Sequence, residues 1–283
     1  VFLPDLRLKR DAGVAKRATL GAWSGIVVPW FHPAFALRAP GMRGTVTAHA
    51  TQLWTEVARV KAIPTSVDYQ LVSGEEMRVY LEGAMTFAFD FETTDNLWNG
   101  VFSQRRSNPI GFSASRAIGE ARYTTDNIVY IRPLLEDASI RKIAHNAQFE
   151  YSVARRCGID VQNLDDTKLM AYVLRKQSTG LKDLSRSELG IAQTRFEEVD
   201  WNDQAAVTAY GCADSDLTLR LDALLTAELK REGLWDVYEK IERPLPGVLS
   251  RMHARGIPLD VTILSGLEKK LDAELLNCDK QLA

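Results

Sequence analysis

Residues 86–94, Thr-Phe-Ala-Phe-Asp-Phe-Glu-Thr-Thr, constrain the fold of this chain more than any other stretch. Apolar residues alternate with others up to Asp90, which is the period-two pattern of a β-strand with one face toward a core. Asp90 and Glu92 are two residues apart, so both carboxylates leave the same face of the strand. Two such carboxylates on a buried strand repel each other and lose solvation unless a cation lies between them. The stretch therefore favours a metal site over its alternative, an exposed acidic edge strand.

The composition is that of an ordinary globular protein. The chain has 283 residues, of which 46% are hydrophobic and 25% are charged, and its net charge is −2. This balance gives no overall basic field for nucleic-acid binding, although a nuclease can take positive charge from bound divalent cations. No run approaches the roughly 18 apolar residues of a membrane span, and no signal peptide is visible. We therefore expect no membrane partner.

The three cysteines, Cys157, Cys212 and Cys278, favour a reducing, cytoplasmic setting. Their spacing is not that of a metal site, and an odd number argues against a disulfide framework. The chain begins at Val1 and ends within a helical pattern. We therefore expect it to be a piece of a longer protein.

The order of the predicted elements indicates a mixed α/β sheet flanked by helices. A short helix is predicted from Gly74 and another over residues 126–135, with Pro133 near one end or at a kink. Three adjacent strands followed by strands that alternate with helices are typical of such a sheet. The predicted strands cover residues 65–72, 86–94, 110–114, 121–124 and 141–145, with a turn at Gly119.

Two further stretches carry candidate site residues. Asn146 is predicted to cap a helix that ends near Gly158, and Glu150 lies about one helical turn further on. Glu150 either points back toward the end of the sheet or is a solvated helix residue. In the helix that follows residue 210, Tyr210 and Asp214 are four apart and share a face, whereas Asp216 lies on another face and is predicted to be solvated.

A helix predicted over residues 164–174 has a structural interpretation. Asp166 is expected to cap it, and Leu169, Tyr172 and Val173 are expected to face the core. A further short helix is predicted to begin near residue 180.

Together these stretches resemble the 3′-5′ proofreading exonuclease domain of family-A DNA polymerases, in the DnaQ-like, ribonuclease-H-like superfamily. The resemblance covers about residues 64–232, and the motifs follow the family's order. The matching motifs are residues 90–93 (Asp-Phe-Glu-Thr), residues 145–150 (His-Asn-Ala-Gln-Phe-Glu), Asp166-Thr167, and residues 210–214 (Tyr-Gly-Cys-Ala-Asp) in the family's tyrosine variant. The family usually has Asp where this chain has Glu150, whose extra C–C bond adds roughly 1.5 Å of reach.

The resemblance implies hydrolysis of phosphodiester bonds at DNA 3′ ends with two Mg²⁺ or Mn²⁺ ions, which prefer carboxylate oxygens. Asp90 would bridge the ions, Glu92 and Asp214 would complete the shell of the first, and Glu150 would support the second. Tyr210 would orient the attacking water. The residues expected to contact substrate are Phe91, Thr93, Leu97, Asn146 and Phe149, although core packing is an equal alternative for Phe91.

The first part of the chain resembles another family. Residues 26–31 are predicted to form a strand that leads into His32-Pro33-Ala34 and, after two further residues, Leu37-Arg38. This pattern is similar to the C-terminal end of small uracil-DNA glycosylases, in which the motif histidine hydrogen-bonds the uracil carbonyl. His32 would be the equivalent residue. The family's other motifs are absent, so this fragment is not expected to be a working glycosylase.

We predict three regions: a glycosylase-like fragment over 1–62, an exonuclease domain over 63–232, and a helical start of a polymerase thumb over 233–283. The last is predicted as a helix interrupted near Pro244 and stopped by Gly256, then a helix from Val261. The expected partners are a DNA 3′ end and a polymerase domain in the parent chain, in a bacterium or a virus-infected cell. The alternatives are a ribonuclease D-like RNA exonuclease and a catalytically weakened single-strand-binding module.

Overall fold

The computed structural model describes residues 12–13, 15–20, 23–31, 38–42, 44–50, 53, 57, 66–93, 97–98, 101–102 and 108–282. The strands are β1 Lys16–Leu20, β2 Trp23–Val27, β3 Asp68–Leu71, β4 Thr86–Thr93, β5 Leu97–Trp98, β6 Val101–Phe102, β7 Pro109–Ala117, β8 Glu120–Thr124, β9 Arg141–Ala144 and β10 Leu164–Asp166. Within these described residues, no helix is long and apolar enough to cross a membrane.

Helices surround the strands. The α-helices are α1 Gly74–Leu81, α2 Arg132–Glu136, α3 Ala147–Arg156, α4 Thr167–Val173, α5 Leu181–Leu184, α6 Gln204–Arg231, α7 Trp235–Val237, α8 Leu245–Arg255 and α9 Val261–Leu282. Short 3₁₀ turns occupy Pro40–Met42, Ile128–Ile131 and Phe196–Glu198, and π-helical turns occupy Ser185–Leu189 and Tyr238–Glu242. Residues 44–50 are also helical.

Six strands form one mixed sheet in the order β10-β9-β4-β7-β8-β3. β4 pairs antiparallel with β7 and parallel with β9, so it lies inside the sheet. β7 pairs antiparallel with β8, whereas β3 is parallel to β8 and β10 is parallel to β9. The predicted mixed sheet flanked by helices is therefore confirmed.

Both faces of β4 are buried. Phe87, Phe89 and Phe91 leave one face and pack with Phe112 of β7; the ring centroids of Phe89 and Phe112 are 5.7 Å apart. The opposite face is covered by α6, which packs along β4, β7 and β8. The sequence pattern predicted only one buried face for β4. Alternation shows that polar residues share the other face, but it does not show whether a helix covers them.

Local side-chain chemistry explains where the helices begin. Ser73 and Glu76 form a capping box at the start of α1, in which each side chain accepts the other's backbone N–H. Asp203 accepts the N–H of Ala205 at the start of α6. Pro133 lies in the first turn of α2, where its missing N–H costs little. The predicted helix over 126–135 is therefore a 3₁₀ turn followed by α2.

The prediction that Asp216 is solvated is wrong. Asp216 is fully buried, and its carboxylate accepts from the Tyr69 hydroxyl at 2.7 Å and from the Gly119 N–H at 2.9 Å. Its charge is paired with Arg220 one helical turn later, at 2.8 Å. Because α6 is covered on more than one side, a position off the predicted apolar face still meets protein.

The predicted orientation of Tyr172 is also wrong. Its side chain is 63% exposed, although Leu169 and Val173 pack against the core as expected. Met170 and Ala171 are fully buried and define the inner face of α4. Tyr172 is two positions, or about 200°, on from Met170 and therefore points away from that face.

The strand predicted over residues 26–31 is wrong in its bounds, because β2 ends at Val27 and residues 28–31 are irregular. β1 and β2 form an antiparallel hairpin, and His32 lies outside the described residues. After α6, helix α8 ends at Gly256, whose φ is 71°, and α9 begins at Val261 as predicted. α8 packs against α3, which joins the C-terminal segment to the sheet domain.

A close contact between α6 and β8 predicts that Gly211→Ala destabilises the fold. A Cβ at Gly211 would lie 2.7 Å from Cδ2 of the buried Tyr123 ring. We expect the free energy of unfolding to fall by about 1–3 kcal/mol, because the ring has no room to move in a packed core. Denaturant unfolding measures the change.

Gly266→Ala in α9 is the matched control, since among the described residues nothing lies within 4 Å of its added Cβ. Alanine is the better helix former there, so this control should unfold at an unchanged or slightly higher denaturant concentration. An unchanged midpoint for Gly211→Ala would contradict the packing described here.

Candidate active site

β4 and α6 bring three carboxylates together on one face of the central sheet. Asp90 and Glu92 leave β4 on the side that α6 covers, and Asp214 leaves the middle of that helix. Ligand oxygens from the three residues all lie within 4.8 Å of one another. The carboxylates predicted from the strand and from the helix thus form one cluster.

The pairing of β4 with β7 fixes the two strand carboxylates. Asp90 lies opposite Ser113 and Glu92 lies opposite Gly111, and the register shifts between Glu92 and Thr93. A Cβ at Gly111 would overlap the Tyr123 hydroxyl, so glycine lets this ring pack against the strand. The Tyr123 hydroxyl thus lies against the residue that pairs with Glu92, and burial, then the charges of Glu92 and Asp90, raise the pKa of this phenol.

Asp214 is held by several donors. Lys182 of α5 donates from Nζ to its two carboxylate oxygens at 2.6 and 3.0 Å, and the Gln193 side-chain amide donates to Oδ1. Tyr210 lies one turn earlier on α6, and burial, then the charge of Asp214, raise the pKa of its phenol. The Lys182 ammonium lies 4.1 Å from the centroid of the Tyr210 ring, in cation–π geometry.

Glu150 lies beside the cluster but outside the group of three. It is 1% exposed, and its Oε2 accepts the backbone N–H of Phe91 at 3.2 Å. Since Phe91 lies between Asp90 and Glu92 on β4, this bond connects α3 to the strand that carries two of the clustered carboxylates. The solvated alternative for Glu150 is therefore excluded, and its carboxylate points back to the sheet.

The start of α3 is anchored by a residue of the next strand and not by Asn146. Asn146 has a left-handed φ of 82°, and among the described residues its side chain makes no capping hydrogen bond. Instead, the Asp166 carboxylate accepts the N–H groups of Asn146 and Ala147 at 3.0 and 2.9 Å. It also caps α4 by accepting from the N–H of Lys168 at 2.8 Å, as predicted.

Burial of like charges controls the electrostatics of the site. Burial, with Glu150, Glu92 and Asp214 nearby, holds the pKa of Asp90 well above its ordinary value. Burial and the charge of Asp214 raise the pKa of Glu92 to about 8. Burial also raises the pKa of Asp214, although the Lys182 ammonium opposes that rise. At neutral pH the cluster therefore requires either protons or cations.

The residues present fit a divalent metal ion. In the described part of the chain, Glu92 Oε1 is buried without a hydrogen-bond partner, as is the hydroxyl of Ser113, which lies opposite Asp90 on β7. An unpaired buried carboxylate oxygen is costly unless a cation approaches it. All the clustered donors are hard carboxylate oxygens, the ligand type that Mg²⁺ and Mn²⁺ prefer.

The predicted substrate-binding residues have different environments. Phe91 is 3% exposed and packs in the aromatic core, which is the alternative given for it from the sequence. Thr93, Asn146 and Phe149 are partly exposed, and the Asn146 side chain contacts the Lys168 ammonium at 3.4 Å. The side chain of Leu97 lies outside the description.

Sequence reasoning missed Lys182 and Gln193. Lys182 lies on a four-residue helix, 32 positions before the Asp214 that it contacts. No periodicity or spacing connects the two, because the chain between them includes a π-helical turn, a 3₁₀ turn and irregular segments. The glycine-led start of α5 was the only local signal, and it marks a helix end without assigning it a partner.

The chain is similar in sequence to bacterial polymerases. DNA polymerase I of Rhizobium leguminosarum is 39% identical over 158 residues, which cover 52% of this chain and 16% of that protein. DNA polymerase I of Chloroflexus aurantiacus is 33% identical over 216 residues, which cover 66% of this chain and 22% of that protein. The chain thus spans less than a quarter of the length of these relatives.

Solved structures share the fold. Pol1 from M. smegmatis aligns with a TM-score of 0.61 at 19% identity, over 74% of this chain and 35% of that one. Brucella melitensis NrnC aligns with a TM-score of 0.52 at 21% identity, over 68% of this chain and 91% of that one. The catalytic core of RRP6 from Trypanosoma brucei aligns with a TM-score of 0.52 at 16% identity, over 84% of this chain and 68% of that one. The fold is therefore ribonuclease-H-like, as expected.

A family model for the 3′-5′ exonuclease of DNA polymerase A matches residues 73–230, which is more than half of the chain. The match contains the β4 carboxylates, Glu150 of α3 and the Tyr210–Asp214 turn of α6. It ends at α6, before the C-terminal helices. The chain belongs to the 3′-5′ exonuclease domain family of family-A DNA polymerases.

Proposed function

We propose that this chain is a metal-dependent 3′-5′ exonuclease that removes nucleotides from DNA 3′ ends and proofreads for a polymerase domain in the longer protein. The observation that carries the proposal is the cluster of Asp90, Glu92 and Asp214, with Tyr210 one turn before Asp214. DNA as the substrate is supported by the relatives, which are DNA polymerase I proteins.

The carboxylates have separate roles in the proposal. Asp90, Glu92 and Asp214 would hold one ion, and Glu150 would support a second from the α3 side. A pair of Mg²⁺ or Mn²⁺ ions would acidify the attacking water and neutralise charge on the phosphate and the leaving 3′ oxygen. The backbone bond from Phe91 to Glu150 leaves the other oxygen of that carboxylate for this support.

Tyr210 acts in the proposal as a hydrogen-bonding group and not as a base. Burial, then the charges of Asp214 and Glu92, hold the pKa of Tyr210 above its ordinary value. The phenol therefore keeps its proton at neutral pH. The centroid of its ring lies 4.1 Å from the Lys182 ammonium beside the cluster, so its hydroxyl would orient a water molecule toward a phosphate there.

We further propose that residues 63–232 form the exonuclease domain and that residues 233–283 begin a polymerase thumb. The family match over residues 73–230 supports the first boundary pair. Exposed leucines along α9, such as Leu267, Leu271 and Leu275, support the second, because a following polymerase domain would cover them. The assignment of residues 1–62 to a glycosylase-like fragment stays a prediction.

Asp90→Asn is expected to lower the rate of 3′-end shortening by at least about 100-fold, because it removes a charge that binds the ions. The assay follows a 3′-mismatched DNA primer with Mg²⁺ or Mn²⁺, with EDTA as the metal-free control and an RNA strand of equal sequence beside it. Asp236→Asn, the same change at a 71% exposed carboxylate, should keep full activity.

Three results would contradict the proposal. Shortening that persists in EDTA would show that the activity needs no metal ion. Equal activity of Asp90→Asn and Asp236→Asn would show that the cluster takes no part in catalysis. Preferential degradation of the RNA strand would favour the ribonuclease D-like alternative. A folded chain that binds single strands without shortening them would favour the binding module.

Glu150→Gln is expected to remove the charge of this side chain and to keep its hydrogen bond to the Phe91 backbone. The amide keeps an oxygen that can accept the Phe91 N–H, so the unfolding temperature should stay the same or rise as like-charge repulsion is relieved. The exonuclease rate should fall roughly 10- to 100-fold, the usual effect of losing a group that supports a metal ligand set. An unchanged rate in this variant would show that Glu150 has only a structural role.

The raised pKa of Glu92 predicts a pH-dependent stability in EDTA. The unfolded state releases this proton above about pH 4.5, whereas the folded state keeps it up to a pKa of about 8. The free energy of unfolding should therefore fall as the pH rises from 6.5 to 8, and Glu92 alone contributes at most about 1.4 kcal/mol per pH unit to that fall. The window starts at 6.5 because buried His145, with its pKa lowered to about 3, has the opposite effect below it.

The measurement is denaturant unfolding at several pH values. Glu92→Gln should flatten the slope, whereas Glu82→Gln at a 69% exposed carboxylate should not change it. A wild-type stability that rises over this window would contradict the account of the cluster.

A further inference from the structure

The contacts of Asp214 involve both oxygens of its carboxylate. A carboxylate offers about four lone-pair positions. Lys182 uses two of them, one on each oxygen, at 2.6 and 3.0 Å, and the Gln193 amide uses one on Oδ1. A divalent ion that binds Asp214 therefore competes with the Lys182 ammonium at both oxygens.

Lys182 is the donor best able to leave. Its side chain is 25% exposed whereas that of Asp214 is 8% exposed, so the ammonium lies between the cluster and solvent. Lys182 carries a positive charge that a divalent ion would repel, whereas the other donor, Gln193, is neutral. A flexible four-carbon stem allows an ammonium to move without a change in the backbone.

We infer that Lys182 is a built-in counter-cation of the carboxylate cluster, which holds Asp214 until a divalent ion displaces it. The inference rests on the proposed function, because it concerns the same metal site. In the metal-free chain, the ammonium offsets part of the repulsion among Asp90, Glu92 and Asp214. It thereby keeps α5 and α6 in position before the ion arrives.

The exchange gives a direct prediction for metal affinity. Without the ammonium, an ion meets neither charge repulsion nor an existing ion pair at Asp214. We expect Lys182→Met, which keeps the length of the side chain and removes its charge, to lower the Mn²⁺ dissociation constant about tenfold. The probe is Mn²⁺ alone, followed by the electron paramagnetic resonance of the free ion with the full chain and without DNA.

Thermal unfolding of the same variants supplies a second readout. In EDTA, Lys182→Met should unfold at a lower temperature than wild type, because Asp214 has lost its partner. The rise in unfolding temperature on adding saturating Mn²⁺ should be larger in Lys182→Met than in wild type. Lys182→Gln, which keeps a donor but not the charge, repeats the test should the methionine variant fail to fold.

Lys176→Met is the matched control. Lys176 is also a partly buried lysine that pairs with two carboxylates, Glu188 at 3.1 Å and Glu228 at 2.7 Å, away from the cluster. Its loss should lower the unfolding temperature in EDTA, but the Mn²⁺ dissociation constant and the Mn²⁺-induced rise should equal those of wild type. The control separates loss of an ion pair from loss of competition with the metal.

The outcomes distinguish this inference from the proposed function. If wild type binds Mn²⁺ through Asp90, but Lys182→Met and Lys182→Gln bind it no more tightly, Lys182 is only structural and this inference alone fails. If wild type binds no Mn²⁺, both the inference and the proposed metal-dependent function fail. Tighter binding in both Lys182 variants, with Lys176→Met unchanged, supports the exchange.

Discussion

The contact between β4 and α6 brings oxygens of three carboxylates within 4.8 Å of one another, with Glu92 and Asp214 buried and Asp90 partly exposed. Asp90 and Glu92 are held by the pairing of β4 inside the sheet, and Asp214 is held by a helix packed across the same strand. The opposite face of β4 carries the phenylalanines of the core, so apolar burial there offsets the cost of the charges. The fold stabilises a site that would otherwise push its own residues apart.

The supporting contacts extend outward from this pair of elements. Glu150 reaches from α3 to the backbone between the two strand carboxylates, and Asp166 fixes the start of α3 by accepting two of its N–H groups.

The parts of the site that lie within one strand or one helix could be predicted from the sequence. Alternation along residues 86–94 placed Asp90 and Glu92 on one face, and the four-residue spacing placed Tyr210 with Asp214, because both patterns follow from the geometry of one element. The environment of Asp216 and Tyr172 could not be predicted in this way, since burial there depends on which other elements cover α6 and α4. The same holds for Lys182, whose contact with Asp214 is made only by the tertiary fold.

The central claim is that the carboxylate cluster is a binding site for divalent metal ions. Anomalous X-ray diffraction from crystals of the chain soaked in Mn²⁺ tests it most directly, because the signal locates the metal without reference to activity. The account predicts an anomalous peak among the carboxylates of Asp90, Glu92 and Asp214, with the Lys182 ammonium no longer bound to Asp214. A well-ordered cluster with no anomalous peak, and with Lys182 still paired to Asp214, would contradict it.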